Sequence, residues 1–171
     1  MTARYAPPRL LAPDDELDAF ECRSTEQTSW LQRHARQAHA GNSAKVLVVT
    51  PVDQPAVVAY SAWCMASVRP TDLPARQRKG GGSYPQPVAL LARLGVHTHH
   101  EGQGLGSALL ADVIRRAVTI GGEIGCRALL VHCETDEARG FYLHHAPELE
   151  ASPTDDLHLS LLMKDLLRLR R

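Results

Sequence analysis

Leu94-Gly95-Val96-His97-Thr98-His99-His100-Glu101-Gly102-Gln103-Gly104-Leu105-Gly106-Ser107-Ala108-Leu109-Leu110 decides the fold. It closes an apolar run, Val88 to Val96, that is interrupted only by Arg93 and Gly95. It then crosses a glycine-rich turn and opens a stripe, Leu105, Leu109, Val113, Ala117 and Ile120, at the helical period, with Leu110 and Ile114 widening it. Strand, glycine turn, helix is a geometry for holding an anion. The first N–H groups of a helix lack intrahelical partners and carry partial positive charge, and glycines let the turn curl around a phosphate. No Gly-Lys-Ser/Thr follows, and the spacing is G-x-G-x-G, with Ser107 where a dinucleotide fingerprint has its third glycine. A nucleotide P-loop and a Rossmann site are therefore disfavoured.

The flanks extend this pattern. A helix is predicted over 27–40, with Trp30, Leu31, His34, Ala35 and Ala38 on one face and Gly41-Asn42 ending it. Lys45–Thr50 and Val57–Val68 read as strands, the second straight or bent. Residues 69–87, rich in Pro and Gly, read as a basic loop that includes Arg76, Arg78 and Lys79. Gly121-Gly122 and Gly125 are expected to close the long helix. Arg127–Cys133 reads as a buried strand, and a short helix starts at Thr135-Asp136-Glu137 and runs through Phe141 and Tyr142. Leu157, Leu159, Leu161 and Met163 alternate, which predicts a last strand near 157–164. Residues 1–17 form a lead-in segment and 167–171 a basic tail. With 171 residues and no repeat or linker, the expectation is a single α/β domain over 1–171, a mixed, mostly antiparallel sheet with helices on both faces.

Composition narrows the function. Lys and Arg together number 19, as do Asp and Glu, so net charge predicts no polyanion partner. Its distribution does: residues 27–93 carry Arg33, Arg36, Lys45, Arg69, Arg76, Arg78, Lys79 and Arg93 against Asp53 and Asp72. The tail adds Lys164, Arg168, Arg170 and Arg171 against Asp165. Such a stripe suits phosphates. The four cysteines form no C-x-x-C pair and read as free thiols, and the clustered histidines lack a zinc-like spacing, so no metal is expected. No run is long enough for a membrane span and Met1–Pro13 lacks a signal-peptide core, which predicts a cytoplasmic protein with no membrane partner.

Leu94–Leu110 resembles the acetyl-CoA-binding motif of GNAT N-acetyltransferases, R/Q-x-x-G-x-G/A between a strand and a helix. Ala128–Tyr142 is similar to that family's next strand and A-x-x-F-Y helix. The resemblance is closer to the acetyltransferase toxins of toxin–antitoxin pairs that acetylate aminoacyl-tRNA. It is carried by Phe20-Glu21-Cys22 ahead of Trp30-Leu31, by Pro87–Leu94 and by Ser152–Leu166, and covers residues 18–166. The departures are Glu101 where Gln or Arg is usual, His97 for an acid, Arg23 for a glycine, and Ala146-Pro147 for Gly-Phe. Gln103-x-x-Gly106-x-Ala108 fits the motif two residues on.

The resemblance implies acetyl-CoA as co-substrate and the α-amino group of aminoacyl-tRNA as acceptor, with translation blocked. Leu94 and Val96 would pair with the pantetheine arm. Gln103, Gly104, Leu105, Gly106, Ser107 and Ala108 would hold the pyrophosphate through their N–H groups, and Tyr142 would protonate the departing thiolate. Arg76, Arg78, Lys79 and Arg93 are the candidate tRNA contacts. A ribbon-helix-helix antitoxin is the implied partner, and dimers are common in this branch, so a homodimer is an admissible assembly. On the residues alone two alternatives stand: a GNAT enzyme acting on a small-molecule or protein amine, and a non-catalytic CoA-binding module.

Overall fold

The computed structural model describes residues 4–169; Arg170 and Arg171 of the basic tail lie outside the described residues. In chain order the elements are β1 (Arg9–Leu10), α1 (Thr25–Arg33), α2 (Ala35–Ala40), β2 (Lys45–Val49), β3 (Ala59–Val68), α3 (Ala75–Arg78), β4 (Gln86–Val96), α4 (Leu105–Glu123), β5 (Ala128–His132), α5 (Asp136–His145), β6 (Glu150–Ala151), β7 (His158–Leu162) and α6 (Met163–Leu169). The strands form one seven-stranded sheet in the order β1-β2-β3-β4-β5-β7-β6. β4 and β5 are parallel, whereas β1–β2, β2–β3, β5–β7 and β6–β7 are antiparallel. This is the mixed, mostly antiparallel α/β class that the sequence predicts.

The chain packs as two compact units, Met1–Cys64 with Ala92–Asp112, and Met65–Leu91 with Val113–Arg171. In the first, Val46, Leu47 and Val48 of β2 are all fully buried, as in a strand covered on both faces. Val46 and Val48 join Phe20, Leu31, Ala35 and Tyr60 in one cluster. Val49, Val58, Ala59, Leu105 and Leu109 form another, against which Leu94 and Val96 pack. In the second unit, Val68, Leu73, Val88, Ala128, Leu130 and Leu162 form one core cluster.

Three expectations change locally. The helix predicted over 27–40 begins at Thr25, where Ser24 caps it by accepting from the Gln27 N–H at 3.1 Å, and it is broken at His34 (φ −122°) into α1 and α2. Gly121 and Gly122 do not end α4, which runs on to Glu123. Gly121 instead admits a neighbour, since a Cβ there would stand 2.6 Å from the Met163 Sδ. The last strand stops at Leu162 and α6 follows at once, so Met163 is helical. Among the described residues, no helix is long and apolar enough to cross a membrane.

The lead-in is pinned by charge. The Asp15 carboxylate, 2% exposed, accepts from Arg9 at 2.6 and 2.8 Å and from the Ala12 N–H at 2.7 Å. Burial alone would raise its pKa, but these donors outweigh burial and hold it below the ordinary carboxylate value. A depressed acid gives stability that is present above its unfolded pKa, about 3.9, and is lost as pH falls through the lower folded value. Urea midpoints at pH 7 and pH 3 are expected to differ less in Asp15→Asn than in the parent. An equal difference in both removes this carboxylate from the acid response.

Candidate active site

β4 reaches the site by outrunning its parallel neighbour. Its pairing with β5 extends from Val88↔Ala128 to Leu91↔Val131, and β4 continues to Val96. Leu94 and Val96 are half-buried against the Val49–Leu109 cluster, and the His97 N–H donates to the Val58 carbonyl at 2.8 Å, fixing the strand's end. A single 3-10 turn, Thr98–His100, follows.

The glycine turn then reverses the chain. Gly102 and Gly104 have φ of +76° and +79°, a left-handed conformation that costs an L-residue about 1–2 kcal/mol. A Cβ at either position would meet nothing within 4 Å, so handedness and not space demands glycine there. Alternating left-handed residues ahead of a helix turn successive N–H groups toward one point, an anion cradle. The Ala108 N–H donates to the Gly104 carbonyl at 3.0 Å, the first turn of α4. Ala108 therefore lies one residue too far to offer its amide. Those of Leu105, Gly106 and Ser107 are the ones that a helix start leaves over. Gln103 and Gly104 are exposed in the turn, and Leu105 is buried, anchoring it from below.

The departures at Arg23 and Glu101 meet each other. Arg23 Nε and Nη2 each donate to one Glu101 oxygen at 2.9 Å. Nothing in the sequence signals this pair, whose members are 78 residues apart. Nearby, the Tyr5 hydroxyl lies 2.8 Å from His100 Nδ1, and burial, then the charges of His97 and His99, lower the His100 pKa.

Tyr142 lies in α5, which Thr135 caps by accepting from the Ala138 N–H at 3.1 Å; Asp136 and Glu137 occupy its positive end. The ring is 5% exposed and packs edge-on to Phe141. Burial first, and Cys133 second, push the phenol well above its ordinary pKa, while burial lifts the Cys133 thiol to about 11. Among the described residues, the sealed side-chain polar atoms without a hydrogen bond are Ser61 Oγ and Arg127 Nε. The Tyr142 hydroxyl also has no hydrogen bond among the described residues. The arrangement is a phenol kept protonated by burial.

The basic candidates separate. Residues 75–78, expected as loop, form α3, and Arg127 fastens its end by donating to the Gln77 and Lys79 carbonyls at 3.0 and 2.8 Å. Gln77 is fully buried between Glu150 and Ser160. Arg76 bridges Glu150 at 3.1 Å and the nearly buried Asp165 at 2.6 Å. Arg93 pairs with Glu26 at 2.6 Å and lies 4.8 Å from the centre of the Trp30 ring. Arg78 and Lys79 are exposed and have no ion pair among the described residues. Arg76→Ala, which leaves the Asp165 carboxylate only the 3.9 Å approach of Arg168, is expected to lower the melting temperature, whereas Arg78→Ala/Lys79→Ala leaves it unchanged. Equal melting of all three proteins would show the Arg76 bridge to be idle. Among the described residues, no group of three or more His, Cys, Asp and Glu converges on a metal-sized site.

Residues 57–145 match the model of the acetyltransferase (GNAT) domain. The chain is 40% identical over 161 residues, 94% of each protein, to a tRNA-acetylating toxin of Mycobacterium tuberculosis. Among solved structures, AtaT complexed with acetyl-methionyl-tRNAfMet superposes with a TM-score of 0.88 at 19% identity, over 98% of this chain and 99% of that one. An AtaT mutant bound to the C-terminus of the antitoxin AtaR and acetyl-CoA gives 0.79 at 18%, over 96% and 97%. At these identities the two likenesses speak for a shared fold.

Proposed function

Because the chain belongs to the GNAT acetyltransferase family, we propose that it transfers acetyl from acetyl-CoA to the α-amino group of aminoacyl-tRNA, as a toxin that stops translation. The observation that carries the acceptor is the 40% identity, along nearly the whole of both chains, to a tRNA-acetylating toxin. The left-handed turn at Gly102 and Gly104 on the start of α4 supports the donor. It is an anion cradle of the kind that suits a diphosphate.

In this reading, acetyl-CoA supplies an activated thioester. The amides of Gln103 to Ser107 hold the diphosphate, and the Leu94 and Val96 backbone groups pair with the pantetheine arm as an added strand would. An N–H near Val96 polarises the thioester carbonyl. As the N–C bond forms and the C–S bond breaks, Tyr142 gives its phenolic proton to the sulfur, the acceptor nitrogen sheds one proton to solvent, and solvent returns one to the phenolate, so no net proton is gained or lost. Proton transfer from a phenol to a free thiolate is uphill in water, and burial of the phenol makes it more so, so the proton moves in concert with C–S cleavage and not to a thiolate already released. The α-amino group of an aminoacyl ester is weakly basic and already substantially neutral near pH 8, so no strong base is required. Asp136 and Glu137 serve the start of α5.

Arg78 and Lys79, at the end of the fastened α3, contact tRNA phosphates, while Arg76 and Arg93 are taken up by ion pairs. Arg78→Ala/Lys79→Ala should raise the tRNA KM ~3- to 10-fold, leave the acetyl-CoA KM alone and flatten the salt dependence. Unchanged tRNA kinetics would remove both from the interface. The natural partner is a ribbon-helix-helix antitoxin, and charged tRNA as acceptor makes the reaction cytoplasmic. The deciding experiment supplies acetyl-CoA and a charged tRNA pool and reads the released amino acids by mass spectrometry. α-N-acetylated residues are expected; acetyl transfer to free amines but not to charged tRNA would overturn the acceptor.

A further inference from the structure

A carboxylate beside a diphosphate site is an electrostatic liability. Glu101 is the residue immediately before the left-handed Gly102, and coenzyme A brings a doubly charged diphosphate and a 3′-phosphate to a protein with no net charge to spare. Two unlike charges at contact distance nearly cancel when seen from several ångströms away, whereas a lone carboxylate repels each approaching phosphate.

The structure supplies the cancelling charge from a separate stretch of chain. Residues 19–23 are tied to residues 97–101 at three places: His97 Nε2 lies 3.1 Å from the Ala19 carbonyl, the Thr98 N–H donates to the Glu21 carbonyl at 3.0 Å, and Arg23 grips Glu101 with two parallel bonds of 2.9 Å. The two inner ties already fix the path of the backbone. The outermost, charged tie is therefore not needed to hold the segment. Arg23 and Glu101 side chains are 68% and 34% exposed, and an ion pair so exposed adds little to folding. Its geometry is nonetheless the two-pronged one that fixes a carboxylate in direction as well as charge.

Resting on the diphosphate reading of the glycine turn, we infer that Arg23 is a positioning residue for coenzyme A. By engaging both oxygens of Glu101 it neutralises that carboxylate and aims it away from the cradle, leaving the turn's amides as the charge that the diphosphate meets. Arg23 acts through Glu101, so its removal harms binding only while Glu101 keeps its charge.

The test is a double-mutant cycle on the full chain, titrated calorimetrically with coenzyme A and with dephospho-coenzyme A, which keeps the diphosphate and lacks the 3′-phosphate. Arg23→Ala should weaken both ligands to a similar extent, ~3- to 10-fold at low salt, and the loss should shrink at 0.5 M salt as screening sets in. Glu101→Gln should bind at least as tightly as the parent. Arg23→Ala/Glu101→Gln should return to the parent's affinity. A merely structural arginine gives a loss that salt does not reduce and that Glu101→Gln does not rescue, and that result overturns the inference. So does an Arg23→Ala protein that binds like the parent. Should the parent itself take up no coenzyme A, the diphosphate reading falls and takes this inference with it. Parent binding with no effect at Arg23 sinks the inference alone. Thermal melts of all four proteins accompany the titrations, and coincident melting temperatures are expected.

Discussion

Tyr142→Phe is expected to bind acetyl-CoA as the parent does and to lose roughly 10²- to 10⁴-fold in kcat, the range over which a positioned acid contributes. The substitution keeps the ring, its 5% exposure and its edge-on contact with Phe141, and deletes one hydroxyl. That hydroxyl makes no hydrogen bond within the described residues, so its loss leaves no orphaned partner, and the melting temperature should hold. The pH profile carries a second readout. Burial raises the phenol's pKa above its ordinary value, so the proton-bearing, active form persists through the alkaline range. Activity should fall only on the acid side, where the acceptor amine becomes protonated, and should show no alkaline limb near pH 10. Parallel measurement of kcat and of acetyl-CoA Kd decides the matter: kcat undiminished in Tyr142→Phe ends the general-acid assignment, and an alkaline limb near pH 10 contradicts the burial argument.

What the sequence disclosed divides along a physical line. Local periodicity and glycine placement are written along the chain, so the strand–turn–helix at 94–110 and the capped helix carrying Tyr142 are visible without coordinates. Periods also mislead where two of them overlap. Leu157, Leu159, Leu161 and Met163 alternate as a strand would, yet Asp165 and Leu166, 4% and 0% exposed, bury the first turn of α6, and the helix takes Met163 from the strand. Gly121 looked like a helix end because glycine favours one, but the Met163 sulfur it accommodates lies on another element. Charges were the least legible. Arg76 reads as a free cation until Glu150 and Asp165, 74 and 89 residues away, are seen beside it. Counting basic residues along 27–93 gives the sign of a surface; which of them stay available is a property of pairing across the fold. The same holds for Glu101: along the chain its carboxylate sits beside a phosphate site with no partner, and only the fold brings Arg23 to it.

Gly104→Val should weaken acetyl-CoA binding ~5- to 30-fold, with kcat at saturation unchanged, because about 1–2 kcal/mol is the cost of forcing an L-residue into left-handed backbone. At φ +79° nothing stands within 4 Å of the Cβ that valine would add, so the strain at that atom is in its own backbone. The free protein can relieve it by letting the turn relax, and the diphosphate must then restore the cradle against that cost. The loss therefore appears in Kd more than in stability. Two companions separate handedness from other glycine effects. Gly104→Asn, which tolerates the left-handed region, should lose less affinity than the valine variant. Gly122→Ala, inside α4 with open space around its Cβ, should leave binding intact and raise stability by ~0.5–1 kcal/mol. Should Gly104→Val bind acetyl-CoA as tightly as the parent, the left-handed turn is not what holds the diphosphate. Should Asn and Val lose equally, side-chain bulk rather than backbone handedness is at work.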